Sequence, residues 1–148
     1  MIYSNQRRKA QSGMTMVEIL VSVVILSFGM LGLAGLQTKT LSFSQSSLYR
    51  SQATALADDI LDRMRVDRDN ALAGRWNSEI TSDANSVSPL TFIYQTDLKD
   101  WKAQVESLLP SGRASVSVTN DRMVTIVIEW DDSRGREVPE SWTTKSRL

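Results

Sequence analysis

The sequence of 148 residues contains no cysteine and no histidine. Zinc sites of the Cys/His type and catalytic triads that use either residue are therefore excluded. A disulfide is excluded as well, so an exported domain of this chain must be held together by packing alone. An enzyme would have to rely on carboxylates or on a Ser/Lys pair, and no spacing singles out such residues. We predict a protein that is not an enzyme, with no catalytic residue, no cofactor and no metal site.

The chain also lacks an excess of positive charge, with 17 Lys and Arg against 17 Asp and Glu. Three cations, Arg7, Arg8 and Lys9, fall within the first 13 residues, which hold no acid, so the remainder has a net charge of −3. A DNA-binding domain normally shows a concentrated basic face. We therefore expect no nucleic-acid partner.

One long apolar run dominates the N-terminal part, because residues 19 to 36 carry no charge. The length matches the roughly 20 residues that a membrane-spanning helix needs and exceeds the roughly 7 to 15 apolar residues of a secretory signal. The three cations precede the run, so the positive-inside rule places the N-terminus in the cytoplasm and residues 37 to 148 outside. The sequence predicts a single-pass membrane protein.

Glu18 lies at the edge of this run. A carboxylate at mid-bilayer costs about 2.5 to 3.5 kcal/mol, so we interpret Glu18 as a functional residue that needs a positive partner. Cleavage of the bond between Gly13 and Met14 would create an amine about one helix turn away from it. A plain signal anchor with an unrelated glutamate is the alternative. The run length, the glycine and the glutamate spacing together favour cleavage.

The residues from Ser12 to Glu18, with the basic leader before them and the apolar helix after them, resemble the class III signal of type IV prepilins and type II secretion pseudopilins. In that family a prepilin peptidase cuts after the glycine and methylates the new N-terminus. The resemblance implies cleavage between Gly13 and Met14, N-methylation of Met14, and an assembly role for the charge of Glu18. The first residue after the cut is usually Phe in the family and is Met14 here.

Three glycines, Gly29, Gly32 and Gly35, recur every third residue within the apolar run. Each weakens a helix by roughly 0.5 to 1 kcal/mol relative to alanine, so the segment could loosen. Their spacing differs from the small-xxx-small pattern of helix dimers. Two interpretations stay open: close packing against other helices and, by resemblance to pilins, local unwinding when the subunit enters the filament.

Beyond residue 36 the helix is predicted to continue, since residues 37 to 73 contain no Pro and no Gly. We assign 14 to 36 to a transmembrane helix and 37 to 69 to the amphipathic periplasmic half of the same spine helix. Apolar residues recur there at intervals of four, seven or eight, which is typical of one helix face. These residues are Leu41, Leu48, Leu56, Ile60 and Met64.

The remainder, residues 70 to 148, is predicted to be a globular head. Polar composition indicates a long loop over residues 70 to 95. Apolar spacing predicts a short helix over residues 97 to 109, with Thr96 or Asp97 as its N-cap.

Alternating apolar residues predict a hairpin over residues 114 to 130, with a turn at 120 and 121. One more strand is predicted over residues 138 to 144, at a sheet edge because of Pro139. A small sheet must cover its apolar face, and the stripe on the spine helix is the available surface. We predict an α+β fold, the pilin fold, in which a long N-terminal helix packs on a small antiparallel sheet.

Further segments are similar to the type IV pilus modification proteins (PilV), a group of minor pilins. They are residues 29 to 37, 55 to 65 and 127 to 132, together with Asp97, Leu98, Trp101, Leu109 and Pro110. The resemblance implies a low-abundance subunit that helps initiate pilus assembly near the tip, for twitching motility and cell adhesion. The partners that it implies are a prepilin peptidase, the major pilin, other minor pilins, the inner-membrane assembly platform and a tip adhesin.

The resemblance also implies a localisation. The chain would first lie in the inner membrane, with a cytoplasmic N-terminus and a periplasmic head, and then in the pilus, or fimbrium, at the cell surface. A minor pseudopilin of a type II secretion system is one alternative, and tight calcium binding by the head would favour it. A competence pseudopilin that helps to take up DNA is the other, and the negative charge argues against it.

Overall fold

A computed structural model describes residues 13 to 119 and 121 to 148 of the chain. The chain divides into two compact units, one ending at Ser42 and the other covering Phe43–Leu148. The predicted leader lies outside the described residues except for Gly13. Asn120 of the predicted turn lies outside them as well.

A long first helix and a three-stranded sheet dominate the described residues. The prediction of an α+β fold, with a long N-terminal helix packed on a small antiparallel sheet, is confirmed. The bounds are α1 Met16–Val66, α2 Arg68–Leu72, a 3-10 turn Ala84–Ser86, α3 Ile93–Leu108, β1 Arg113–Val118, β2 Met123–Trp130 and β3 Glu140–Arg147.

The described part of the first unit is the N-terminal part of α1 with the three residues before it. Its apolar window has a mean hydropathy of 2.5, and none of it is buried within the part of the chain that the structure describes. By length and composition this helix can cross a membrane. Hydroxyl side chains within it donate to the carbonyl oxygen four residues earlier, which satisfies them without water. Examples are Ser22 to Glu18 and Ser27 to Val23, both at 2.7 Å.

The sheet of the second unit has the order β1-β2-β3, with both pairs antiparallel. Alternate residues of the central strand β2 point into the core and are almost completely buried; they are Val124, Ile126, Ile128 and Trp130. Strand β3 is at the edge of the sheet, as predicted. It begins at Glu140, two residues later than predicted, directly after Pro139, which has no backbone N–H for a strand ladder.

The face of α1 that packs on this sheet is shorter than predicted. Its buried residues are Ala53, Leu56, Ala57, Ile60, Leu61 and Met64. The prediction that the stripe covers the sheet is wrong for its first part, because Leu41 and Leu48 are 71% and 53% exposed. A strand of eight residues, the longest here, spans about 27 Å. That length covers about 18 residues of a helix at most.

Helix α3 begins at Ile93, four residues before its predicted start. The predicted N-cap at Thr96 or Asp97 is wrong, since the N-cap position is Phe92. The side-chain oxygen of Gln95 accepts the backbone N–H of Phe92 at 3.0 Å and fastens the first turn. Asp97 makes a tertiary contact instead: its carboxylate forms an ion pair with the Arg63 guanidinium at 3.3 Å.

Two contacts attach the remaining segments to this core. The buried indole of Trp101 donates from Nε1 to the carbonyl oxygen of Leu56 at 2.8 Å, which ties α3 to α1. In the predicted loop region, Ser78 pairs with Val116 through two backbone hydrogen bonds of 2.9 and 3.0 Å. This bridge covers part of the outer edge of β1.

Candidate functional site at the start of the first helix

The residues that flank the predicted cut lie before the first helix. Gly13, Met14 and Thr15 are exposed and are not helical, and α1 begins at Met16. The bond between Gly13 and Met14 is therefore an exposed bond in irregular backbone, the kind of segment that proteases cut most readily. The structure is compatible with cleavage at this bond.

Thr15 occupies the N-cap position of α1. Its carbonyl oxygen accepts the N–H of Glu18 at 3.0 Å and that of Ile19 at 3.3 Å. Its hydroxyl oxygen Oγ1 accepts the same N–H of Glu18 at 3.3 Å. Threonine is a favoured N-cap because its oxygen satisfies one of the four unpaired N–H groups that begin every helix. This cap was not predicted, although its signal, a threonine just before the apolar run, is present in the sequence.

Glu18 is the third residue of α1 and is exposed. Among residues 13 to 119 and 121 to 148, no cation lies within salt-bridge distance of its carboxylate. A carboxylate in the first helical turn gains about 0.3 to 1 kcal/mol from the helix dipole. This gain is smaller than the cost of about 2.5 to 3.5 kcal/mol at mid-bilayer. A positive partner would lower the cost of withdrawing Glu18 from water, and the assembly role of Glu18 stays a prediction.

The three glycines of the membrane segment, Gly29, Gly32 and Gly35, lie in uninterrupted helix. A Cβ atom added at any of them would meet no other atom within 4 Å. Packing within the described chain therefore does not require glycine at these positions. Both open interpretations, helix packing and local unwinding, concern contacts with other subunits and stay predictions.

A second group of polar residues lies in the head, around Lys102. The side chain is 2% exposed, and Nζ donates to the carbonyl oxygens of Glu79 and Ser82 at 3.0 and 2.6 Å and to the Ser82 hydroxyl oxygen at 2.5 Å. Burial lowers the pKa of Lys102, and the charges of Glu106 and Asp83 oppose this shift. The buried position of Lys102 was not predicted from the sequence. Lys102 lies between the apolar residues Trp101 and Val105 of α3.

The pair of Ser82 and Lys102 serves as a structural clamp. Lys102 donates to three oxygen atoms, which uses every N–H of a protonated lysine. The hydroxyl of Ser82 lies 2.7 Å from the Glu79 carbonyl oxygen, to which it donates. One turn later on α3, Glu106 accepts the backbone N–H of Ala84 at 2.7 Å. Helix α3 thus fastens the loop of residues 79 to 84 with two side chains.

Metal binding has no support in the described part of the chain, where no group of three or more potential ligands comes together. Asp131, in the turn after β2, uses its carboxylate on local donors. Oδ1 accepts the Ser133 hydroxyl at 2.6 Å, and Oδ2 accepts the Gly135 N–H at 2.6 Å. The bond from the Ser133 side chain is the main cause that lowers the pKa of Asp131.

Residues 8 to 34 match the family model of the prokaryotic N-terminal methylation motif. The matched segment contains Gly13, Met14 and Glu18 and ends one residue before Gly35. The match supports a type IV pilin-like protein. No curated protein and no solved structure matches the chain significantly. The methylation motif and the apolar helix are consistent with attachment to a membrane.

Proposed function

We propose that this protein is a minor pilin that helps to initiate the assembly of a type IV pilus. The observation that carries the proposal is the methylation motif at residues 8 to 34, placed on an unburied apolar helix with an exposed glutamate in its first turn. The α+β layout of the head supports the same proposal. A pilin needs these two parts, a helix for the filament core and a head attached to it.

The first step is processing at the cytoplasmic side of the inner membrane. A prepilin peptidase cuts the bond between Gly13 and Met14 and methylates the new amine of Met14. The exposed, irregular backbone of residues 13 to 15 supports this step, because the enzyme can reach the bond without unwinding a helix. Removal of the leader also removes three cations from the N-terminus.

The second step is insertion into the filament. The amine of Met14 of one subunit meets the carboxylate of Glu18 of a neighbour, while the apolar helices pack together. An isolated carboxylate in lipid is costly, and a poorly solvated ion pair offsets much of that cost. The attraction between two unit charges falls off with distance and grows in a medium of low dielectric constant. The pair therefore favours one axial register of neighbouring helices.

The head remains outside the membrane and contributes surface to the growing tip. In the head, two large apolar side chains at helix ends are almost fully exposed, Val66 at 91% and Ile93 at 81%. These side chains are available for contacts with adjoining subunits in the proposed filament. The proposed partners are the major pilin, other minor pilins, the inner-membrane assembly platform and a tip adhesin. The filament would serve twitching motility and adhesion.

The most direct experiment is to shear pili from the cells and sequence the N-terminus of this subunit. We expect an N-methylated Met14 as the first residue. Recovery of the subunit with its leader intact, or only as a free periplasmic protein, would contradict the proposal.

A second experiment changes Glu18 to Gln or Ala in cells that carry the mutant as the sole copy. We expect normal membrane insertion and reduced pilus assembly, because the carboxylate is removed but the helix remains apolar. Asp58→Asn is the matched control, since it removes an exposed carboxylate from the same helix outside the apolar run. Normal piliation with the Glu18 variants would contradict the assembly step.

Two binding measurements separate this proposal from the related secretion and competence systems. Calcium titration of the full chain in detergent should show no tight binding, whereas tight binding would favour a pseudopilin of type II secretion. DNA binding at moderate salt should be absent, whereas its presence would favour a competence pseudopilin.

A further inference from the structure

We propose that Thr15 is a positioning residue for proteolytic processing: by capping α1, it keeps the bond between Gly13 and Met14 outside the helix and open to the peptidase. The inference rests on the proposed cleavage at this bond. It assigns a role to a side chain that is neither part of the cut bond nor part of the proposed ion pair.

The contacts of Thr15 show how the helix start is set. The N–H of Glu18 is shared between the carbonyl oxygen of Thr15 at 3.0 Å and its hydroxyl oxygen at 3.3 Å. Shared bonds of this kind are common at helix ends. The acceptor on the side chain is available only while Thr15 itself stays non-helical, as an N-cap residue does. The hydroxyl group therefore favours a helix that begins at Met16 and not earlier.

Without this hydroxyl the helix can start earlier. Alanine at position 15 is the best helix former, and methionine at position 14 is also a good one. Gly13 is then the next residue with a favourable N-cap preference. A helix capped by Gly13 would take Met14 into its first turn, with the bond to be cut at its edge. A protease reaches such a bond less easily than one in irregular backbone.

The side chain of Glu18 plays no part in this cap, because the donor to Thr15 is the backbone N–H of Glu18. Cleavage of the precursor and incorporation into pili are measured separately, which separates a defect in processing from a defect in assembly.

The test measures how fast prepilin peptidase converts the full-length precursor in membranes, by gel mobility and mass spectrometry. We expect Thr15→Ala and the isosteric Thr15→Val to be cut about three- to tenfold more slowly. Loss of an N-cap lowers the population of the helix start at Met16 by a factor of this size. Thr15→Ser and Thr15→Asp keep an acceptor and should be cut within about twofold of the wild-type rate. Thr40→Ala is the control, since that hydroxyl donates to the Leu36 carbonyl oxygen within the helix.

A spectroscopic measurement tests the cause. In the uncut precursor, labelled with ¹³C-methionine and held in detergent micelles, the Cα shift of Met14 should be non-helical in the wild type. In Thr15→Ala it should move toward helical values, and in Thr15→Ser it should not. The six methionines of the chain can be assigned by single substitutions.

The outcomes are distinguishable. If the wild-type chain is not cut between Gly13 and Met14, the proposed function fails together with this inference. If the wild type is cut, and Thr15→Ala and Thr15→Val are cut at the wild-type rate, only the role of Thr15 is overturned. Slow cleavage of Thr15→Ser, or slow cleavage of Thr15→Ala with a non-helical Met14, also overturns the role as a cap and indicates direct contact with the peptidase.

Discussion

Replacement of Lys102 by methionine tests whether the head depends on its buried ammonium group. Methionine keeps much of the apolar stem and removes all three N–H donors. The carbonyl oxygens of Glu79 and Ser82, which Lys102 contacts at 3.0 and 2.6 Å, then lose this partner. So does the hydroxyl of Ser82, at 2.5 Å.

The expected change in the free energy of unfolding is the balance of opposing effects. Hydrogen bonds to a charged group contribute about 1.5 to 3 kcal/mol each. Burial of the ammonium group, which lowers the pKa of Lys102, offsets part of this gain. Glu79 is exposed and Ser82 is half-buried, so water can replace part of what the variant loses. We therefore expect the free energy of unfolding to fall by about 2 kcal/mol and Tm to fall by about 8 to 16 °C for a domain of this size.

Tryptophan fluorescence is a suitable assay for the full chain in detergent, because all four tryptophans lie in the head and three of them are buried. Lys99→Met is the matched control: it removes a lysine from the same helix that has no salt-bridge partner within the described part of the chain. Melting of the Lys102 variant within about 2 °C of this control would refute the reasoning.

Three further predictions concern other parts of the chain. Gly112→Ala should lower the stability of the head by about 1 to 3 kcal/mol in urea unfolding, because the new Cβ would overlap the Val105 carbonyl oxygen. Gly29→Ala is the control: its new Cβ would meet no other atom within 4 Å, so the stability of the head should not change. Replacement of all three membrane-helix glycines by alanine should preserve insertion and cleavage but reduce incorporation into sheared pili, and normal incorporation would count against helix loosening. Asp131→Asn should lower the free energy of unfolding of the head at pH 7. Because folding depresses the pKa of Asp131, the wild type should be the more stable of the two above the usual value of 3.8. Acid unfolding of both proteins should show this difference in stability vanish at lower pH.

The helix in the head shows where prediction from the sequence was incomplete. Periodicity located the apolar face of α3 through Trp101 and Val105, and both residues are buried. It did not locate the first turn, because Gln95 rather than a conventional capping residue fastens that turn. Asp97, which resembles an N-cap in the sequence, is held by Arg63 from a distant part of the chain.

The stripe on α1 shows a second limit. The spacing of apolar residues is continuous from Leu41 to Met64, but only its later part is buried. Periodicity reports that a helix face is apolar, and the length of the partner strands decides how much of that face is covered. Leu41 and Leu48 therefore stay exposed, and the sequence alone does not show that the sheet leaves them uncovered.

The apolar first helix could be predicted from the sequence by itself, because its signals are contiguous in the chain. The uncharged run of residues 19 to 36 and Glu18 before it identify the helix, although its first residue is Met16 and not the predicted Met14. The cap at Thr15 also lies within one helix turn of Glu18, but it was not predicted. Only the tertiary structure decided the internal bonds of the head. The bond from Trp101 to Leu56 joins residues 45 positions apart, and those from Lys102 to Glu79 and Ser82 join residues 23 and 20 positions apart. Such partners depend on how helix, loop and sheet pack together, and no local pattern specifies that packing.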